Sequence, residues 1–401
     1  MQALMDHELA IREQFTLLKG GERVYLDSAA TSLKPEIVIE AESDFYRNRY
    51  ATVHRSLYPR AQEATKELSI TKELIRKRIG ATNTQGIVYT RGATDSLNQA
   101  AQFLLQILEK GGEILISPLE HHANLLPFKA LEEKGLLKIR DLPVEESGAV
   151  DFASLLKMDL SKVQAITIAH VSNVTGCTQD LKKLGSLCKQ KDWVFIVDAA
   201  QSLAHKKVDV EECHIDFLAF SAHKMYGPTG LGALVIAERF LERLDPLFFG
   251  GDMILELDEK MQFQEPPLKF ETGTPALAQI AAWKEALLFQ NTPNFQEKIE
   301  TFGEIASAYR ECLEKIPGCK LLSAKDSDTI VTFVIQNAHS MDIALLLGEK
   351  GIELRSGSLC ALKALKYFGV NGFLRISLGV YNTLDEVDRF EKELKKVLQF
   401  F

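Results

Sequence analysis

Six short apolar runs rich in β-branched residues recur between residues 86 and 237, and most are separated by stretches of helical length. They read GIVYT (86–90), EILISP (113–118), QAITIAHVS (164–172), VFIVDAA (194–200), DFLAFSA (216–222) and GALVIA (232–237). Helical patterns fill the intervals at 64–80, 93–112 and 181–192. Strands alternating with helices predict βαβ units and a largely parallel sheet. The runs are continuously apolar, which fits strands covered by helices on both faces.

Beyond residue 238 the pattern loosens into a stretch holding Pro, Gly and acidic residues. Helices are predicted at 275–290 and 294–315, and a strand at 329–336. A helix over 340–351 is stopped by Gly351, a strand covers 373–381, and a last helix over 383–400 is opened by Thr383. The expected organisation is an N-terminal segment (1–20), a large domain (21–284) and a smaller α/β domain (285–401). A chain of 401 residues has room for two such units.

Charge and cysteine usage narrow the function classes. The net charge is −8, from 47 basic and 55 acidic residues, which argues against nucleic acid as a main partner. The six cysteines are scattered, with no CxxC and no metal-ligand spacing. Five read as reduced core thiols of a cytoplasmic protein. No apolar run is long enough to cross a membrane, and the first residues lack a signal-peptide core.

Ligands of open α/β sheets bind at the carboxyl ends of the strands. Lys224 stands just past DFLAF, beside Ser221 and His223. Either it has left the strand for solvent, or its amine is held neutral for covalent chemistry. Asp198 ends VFIV, with Gln201 close behind. A carboxylate there needs a cationic or hydrogen-bonding partner. Gly92-Ala93-Thr94 follows GIVYT, as an ordinary helix cap or as a phosphate cradle. His121 and His122 follow EILISP, as surface loop histidines or as a flat ring to stack on a ligand. Asn173 lies in the turn after QAITIAHVS. One cofactor uses all of these groups. Pyridoxal phosphate needs an imine-forming lysine, a carboxylate on its pyridinium nitrogen, a phosphate cradle and a stacking partner.

The motifs YLDSAATS (25–32), VHRSLYPRA (53–61), RGATDSLN (91–98), EHHANLLPF (120–128), SAHKMYGPTGLG (221–232), FETGTP (270–275), RSGSLCA (355–361) and RISLGVYNT (375–383) occur in order. With HVSNVTG (170–176) and VDAAQS (197–202), this set resembles the class V aminotransferase family. Within it the similarity is to the group II, SufS-type, cysteine desulfurases. The resemblance implies a fold type I pyridoxal-phosphate homodimer whose large domain holds a mainly parallel seven-stranded sheet. It implies Lys224 as the Schiff-base lysine, Asp198 at the pyridinium nitrogen, Gln201 at the ring oxygen and His121 stacked on the ring. Ala93, Thr94, Ser221 and His223 match phosphate ligands, with Thr274 supplied by the other subunit. Asn173 and Arg375 match the substrate-carboxylate residues, and Arg355 lies at the same mouth. His54 and Arg55 match residues that reach across the dimer interface.

Cys360 lies on a Gly/Ser loop near Arg355, ahead of a predicted helix, and both features favour a thiolate. The resemblance aligns it with the desulfurase nucleophile. Lys224 then acts as general base, His121 as proton donor, and Cys360 takes sulfur from L-cysteine as a persulfide, releasing L-alanine. The sulfur passes to a SufE- or SufU-like acceptor for iron–sulfur cluster or other sulfur-cofactor assembly. There are two departures from the family pattern: Ser358-Leu359 replaces histidines before the cysteine, and Ala93 replaces a threonine. Alternatives are a selenocysteine lyase, a cysteine sulfinate desulfinase or another class V activity, and, in a different class, a non-catalytic sulfur-transfer scaffold.

Overall fold

A computed structural model of the chain describes residues 11–21, 23–54 and 56–401. Residues 1–10 of the expected N-terminal segment, and Arg55, lie outside the described residues. The first strand, β1 (Val24–Leu26), is followed by helices α1 (Glu36–Asp44) and α2 (Pro59–Ile79). The expected alternation then appears. Strand β2 (Ile87–Thr90) leads into α3 (Ala93–Ile107), and β3 (Glu113–Ile116) into α4 (His122–Glu133) and β4 (Lys138–Asp141). Then come β5 (Val163–Ala169), α5 (Leu181–Lys191), β6 (Val194–Asp198), β7 (Phe217–Ser221) and β8 (Gly232–Ile236).

These strands form a seven-stranded sheet of order β2-β8-β7-β6-β5-β3-β4. Its strands are parallel except β8, which runs antiparallel to both β2 and β7. The mainly parallel sheet is therefore as expected. Strand β6 shows why the runs are continuously apolar. Phe195 and Val197 enter one apolar cluster, which also holds Leu184 and Cys188 of α5. Val194 and Ile196 enter the other, with Ala100, Phe103 and Leu104 of α3. Phe217 lies between the near-parallel rings of Phe103 (6.3 Å) and Phe240 (5.8 Å). Truncating it to alanine costs about 3–5 kcal/mol, because the packed layer cannot close over the void.

A short antiparallel hairpin, β9 (Ile254–Leu257) and β10 (Met261–Phe263), fills part of the loosened stretch. Helix α6 (Leu277–Gln290) is alanine-rich and packs against α1 and α2. The helix expected at 294–315 is two, α7 (Pro293–Glu300) and α8 (Phe302–Glu314). Strands β11 (Cys319–Leu321) and β12 (Ile330–Ile335), helix α9 (Ser340–Gly348), strand β13 (Ile352–Gly357), helix α10 (Leu362–Phe368), strand β14 (Phe373–Ser377) and helix α11 (Asp385–Val397) follow. The second sheet has the order β1-β13-β14-β12-β11, so its edge strand comes from the N-terminal end of the chain.

Three local readings change. His122, read as a loop histidine, lies in α4, and His121 caps that helix by accepting a bond from the Ala123 N–H. The Gly/Ser loop near Arg355 starts later than its composition suggests, since Arg355, Ser356 and Gly357 belong to β13. Thr383 does not cap α11 with its side chain. Instead the Glu386 carboxylate reaches back and accepts from the Thr383 N–H at 3.2 Å.

Candidate active site

Five strand ends converge on one cavity of about 440 Å³. Its walls carry Ala93, Thr94, His121, Asn173, Asp198, Gln201, Ser221, His223, Lys224, Arg355, Cys360 and Arg375, twelve of the fifteen residues singled out from sequence. Strand β7 ends at Ser221, and a single 3₁₀ turn, Ala222–Lys224, swings the lysine over the rim. Four donors fix that turn through the His223 carbonyl: Ser32 N–H (3.0 Å), Ser32 Oγ (3.0 Å), Thr31 Oγ1 (3.3 Å) and Lys34 Nζ (2.8 Å).

Glycines shape the segment expected to form a phosphate cradle. Gly92 sits at φ 142°, a conformation that favours glycine. A Cβ on Gly232 would lie 2.6 Å from the Gly92 Cα and 2.4 Å from the Phe220 carbonyl oxygen, so neither strand could close with larger residues. The result is that the α3 N-terminus abuts the end of β7, where Ala93 N–H donates to Ser221 Oγ at 2.7 Å. An N-terminus with free N–H groups attracts anions.

Electrostatics distinguish the walls. Burial pushes the Lys224 amine down to about 8, partly opposed by the Asp198 carboxylate. Protein encloses Lys224 closely enough to desolvate it, yet its side chain still has surface facing the cavity. It makes no hydrogen bond or ion pair among the described residues. Burial also pushes Asp198 up, against the Ala200 N–H (2.9 Å) and Lys224. No described cation lies within ion-pair distance of Asp198, so a buried carboxylate faces the cavity with its charge unmatched. His121 is driven down to about 4, chiefly by burial and then by Lys224, and its Nδ1 accepts from Ala123 N–H at 3.1 Å. A neutral ring with Nδ1 as acceptor presents Nε2–H as a donor. Gln201 donates from Nε2 to the Ala29 carbonyl at 2.8 Å, which leaves its Oε1 for another partner. The buried Asn173 Oδ1 and Arg375 Nε have no hydrogen-bond partner among the described residues. An amine, an unmatched carboxylate, a free N-terminal cradle and orphaned polar atoms around one hollow fit a phosphorylated, cationic ring compound.

The cysteine stands on the opposite lip. Leu359 and Cys360 both adopt φ 52°, uncommon for side-chain-bearing residues. Three bonds hold this loop to the large sheet's side. Asn173 Nδ2 donates to the Leu359 carbonyl (2.8 Å), His122 N–H to the Cys360 carbonyl (2.7 Å), and Leu362 N–H to His122 Nε2 (3.1 Å). Leu359 is buried among Leu119, Val174 and Phe373. Cys360 is exposed, whereas Cys177, Cys188, Cys213 and Cys312 are buried and Cys319 is half-buried.

The aminotransferase class-V family model matches residues 24–390. The chain belongs to this family. Among its relatives, the chain is 35% identical to a probable cysteine desulfurase of Halalkalibacterium halodurans, over 96% of this chain and 95% of that one. It is also 35% identical to the cysteine desulfurase CsdA of Escherichia coli, over 97% of each. Among solved structures, an S-sulfonic acid form of CsdA superposes with a TM-score of 0.91, at 34% identity over 98% of this chain and 99% of that one. A cysteine desulfurase from Thermococcus onnurineus, in its apo form, gives 0.92 at 31% identity, over 98% of each chain. This class V aminotransferase family member thus sits among cysteine desulfurases.

In this class V chain, Thr274 and His54 do not line the cavity. They border a separate hollow with Arg91 and Asp95, next to the groove that holds Thr94. Three residues near the site escaped the sequence reading. Asp27, just after β1, pairs with Arg355 (2.8 Å) and Arg375 (3.4 Å). Glu120 is buried beside His121, and burial pushes it up to about 8 although Asn124 and the Ala169 N–H bind it. Lys34 is pushed down to about 7 by burial, with carbonyl partners in place of a carboxylate. The one signal for Lys34 and Asp27 was their place in or beside the YLDSAATS motif.

Proposed function

We propose that the protein takes sulfur from L-cysteine, releases L-alanine and holds the sulfur as a persulfide on Cys360. A buried lysine and an unmatched buried carboxylate share one cavity with a single exposed cysteine at its lip, and this observation carries the reading. Pyridoxal phosphate fits the residues present. Lys224 would hold its aldehyde carbon, Asp198 its ring nitrogen, Gln201 its ring oxygen, and His121 its ring face. Ala93, Thr94, Ser221 and His223 would hold the phosphate, with Thr274 from a second subunit. When bound, the cofactor supplies an electron sink that lowers the cost of removing the substrate α-proton.

The chain's own groups do the rest. Asn173 and Arg375 receive the substrate carboxylate, with Arg355 at the mouth. The Lys224 amine, with its pKa lowered to about 8, accepts and returns protons near neutral pH. The Cys360 thiolate forms a bond to the substrate sulfur as the carbon–sulfur bond breaks, and the electron pair of the broken bond stays on carbon. His121 Nε2–H supplies a proton at that stage.

The short loop and exposed thiol favour the group II, SufS-type, form, with delivery to a SufE- or SufU-like acceptor for iron–sulfur cluster assembly. A cytoplasmic homodimer is the working state. Thr274, His54 and Arg55 belong to the surface that completes a neighbouring subunit's site. Exposed aromatic residues Tyr46, Tyr50 and Tyr58 lie on that N-terminal region. The small C-terminal domain begins near residue 285 and gains β1 as its edge strand. Alanine and sulfide release from L-cysteine under reducing conditions tests the activity. Wild type should yield both and Cys360→Ala neither. Equal turnover by the two proteins would overturn the assignment.

A further inference from the structure

Arg355 and Arg375 face each other directly across the antiparallel pair β13–β14. Like charges in that register repel. Asp27 relieves the repulsion. It follows β1, bridges to Ser377, and places its carboxylate between the two guanidiniums. Its Oδ2 is 2.8 Å from Arg355 Nη2, and its Oδ1 is 3.3 Å from Arg355 Nε and 3.4 Å from Arg375 Nη2. Among the described residues it is the one carboxylate within ion-pair distance of either arginine. Arg375 is buried, its Nε lacks a partner, and its Nη1 donates to the Asn173 carbonyl at 3.0 Å. The Arg355 side chain keeps 47% of its surface exposed. Of the trio, Arg355 and Arg375 line the cavity, and Asp27 pairs with both from outside the lining, which leaves one positive charge unmatched.

We propose that Asp27 is a specificity-determining residue that matches the cavity to amino acids with one anionic group and disfavours those carrying a second anion on the side chain. This rests on the reading of Arg375 and Arg355 as the substrate-carboxylate site. L-cysteine brings one carboxylate and a thiol, and the single unmatched charge balances it. A sulfinate or a second carboxylate finds the remaining guanidinium already neutralised by Asp27. Charge matching of this kind sets partner choice more than raw affinity. A purely structural Asp27 would tie β1 to the second sheet without sorting ligands by charge.

Two unreactive probes read this directly in the holoenzyme: propionate, with one carboxylate, and succinate, with two. Calorimetric titration gives the succinate-over-propionate preference for each protein. Asp27→Asn should raise that preference about fivefold, the size of one partly exposed ion pair. Asp27→Glu should leave it at the wild-type value, and Asp27→Asn combined with Arg355→Gln should return it there. The reaction carries the same signature, as a shift in the kcat/KM ratio toward L-cysteine sulfinate over L-cysteine in Asp27→Asn. An unchanged preference, or equal weakening of both probes, overturns the proposal. If Asp27→Asn fails to fold, Arg355→Gln keeps the test open. It should weaken propionate about fivefold, because Asp27 then neutralises Arg375; unchanged propionate binding overturns the proposal. Alanine release from L-cysteine by wild type is measured alongside. Its absence would count against the desulfurase reading, while a failed probe preference with turnover intact counts against Asp27 alone.

Discussion

The two lips of the cavity are built on opposite principles. The Lys224 side consists of strand ends and a helix N-terminus, its groups are desolvated, and four donors on one carbonyl lock the turn that carries the lysine. The Cys360 side is a connection between β13 and α10, with two consecutive left-handed residues and an exposed thiol. Conformations of that kind cost about 1–3 kcal/mol each and persist only where surrounding contacts hold them. Under the proposed function, the difference follows from what each lip must do. Proton movement needs a dry, fixed base with a tuned pKa. Sulfur delivery needs a nucleophile that a second protein can reach.

Removing the lysine should break both lips at once. Lys224→Ala should lower alanine formation by at least about a thousandfold and leave Cys360 without persulfide, measured by amino-acid analysis and peptide mass. Cys360→Ala should separate the lips. Sulfur capture is lost, while the cofactor absorbance of the purified protein stays at the wild-type level.

A smaller effect comes from the lowered Lys224 pKa. Only the neutral amine adds to an aldehyde, and burial places its titration near 8. Capture of pyridoxal phosphate by cofactor-free protein should therefore speed up about fivefold between pH 7 and pH 8 and level off above. Stopped-flow absorbance follows the reaction. A rate still climbing steeply toward pH 10 would mean a solvated lysine and a wetter wall.

The smallest effects concern the loop. Asn173→Ala deletes the bond to the Leu359 carbonyl, worth about 1 kcal/mol. Alkylation of Cys360 should become about fivefold faster, with the half-buried Cys319 as the internal control. Replacing His122 by Phe removes the weaker, more exposed acceptor and should change that rate by about twofold. Equal rates in all three proteins would show that the loop is not held from the large-sheet side.

The same contrast governs how far the sequence could be read. Strand ends were legible because each is a β-branched run broken by a polar residue, so Lys224, Asp198, Gln201 and Asn173 fell on one rim by topology alone. Strand β1 was not. It has three residues, and its partner Ile352 lies more than three hundred positions away. Helix α4 was read as loop because adjacent histidines and Pro127 mask its apolar period. Asp27 carries no local signal of its role, since that role exists only once β13 and β14 bring two arginines to it. Cys360 was singled out by its Gly/Ser surroundings, but nothing local announced the backbone conformation at Leu359 and Cys360. Thr274 and His54 border a hollow apart from the cavity, a placement that no local pattern specifies.

The central claim is that a dry base on one lip loads sulfur onto the exposed thiol of the other. Peptide mass measurement of the holoenzyme after brief exposure to L-cysteine tests it most directly. The account predicts one added sulfur atom on the Cys360 peptide, none on the other cysteine peptides, and its loss when an acceptor protein bearing a free thiol is added. Alanine release with no sulfur on Cys360, or sulfur on a buried cysteine instead, would contradict it.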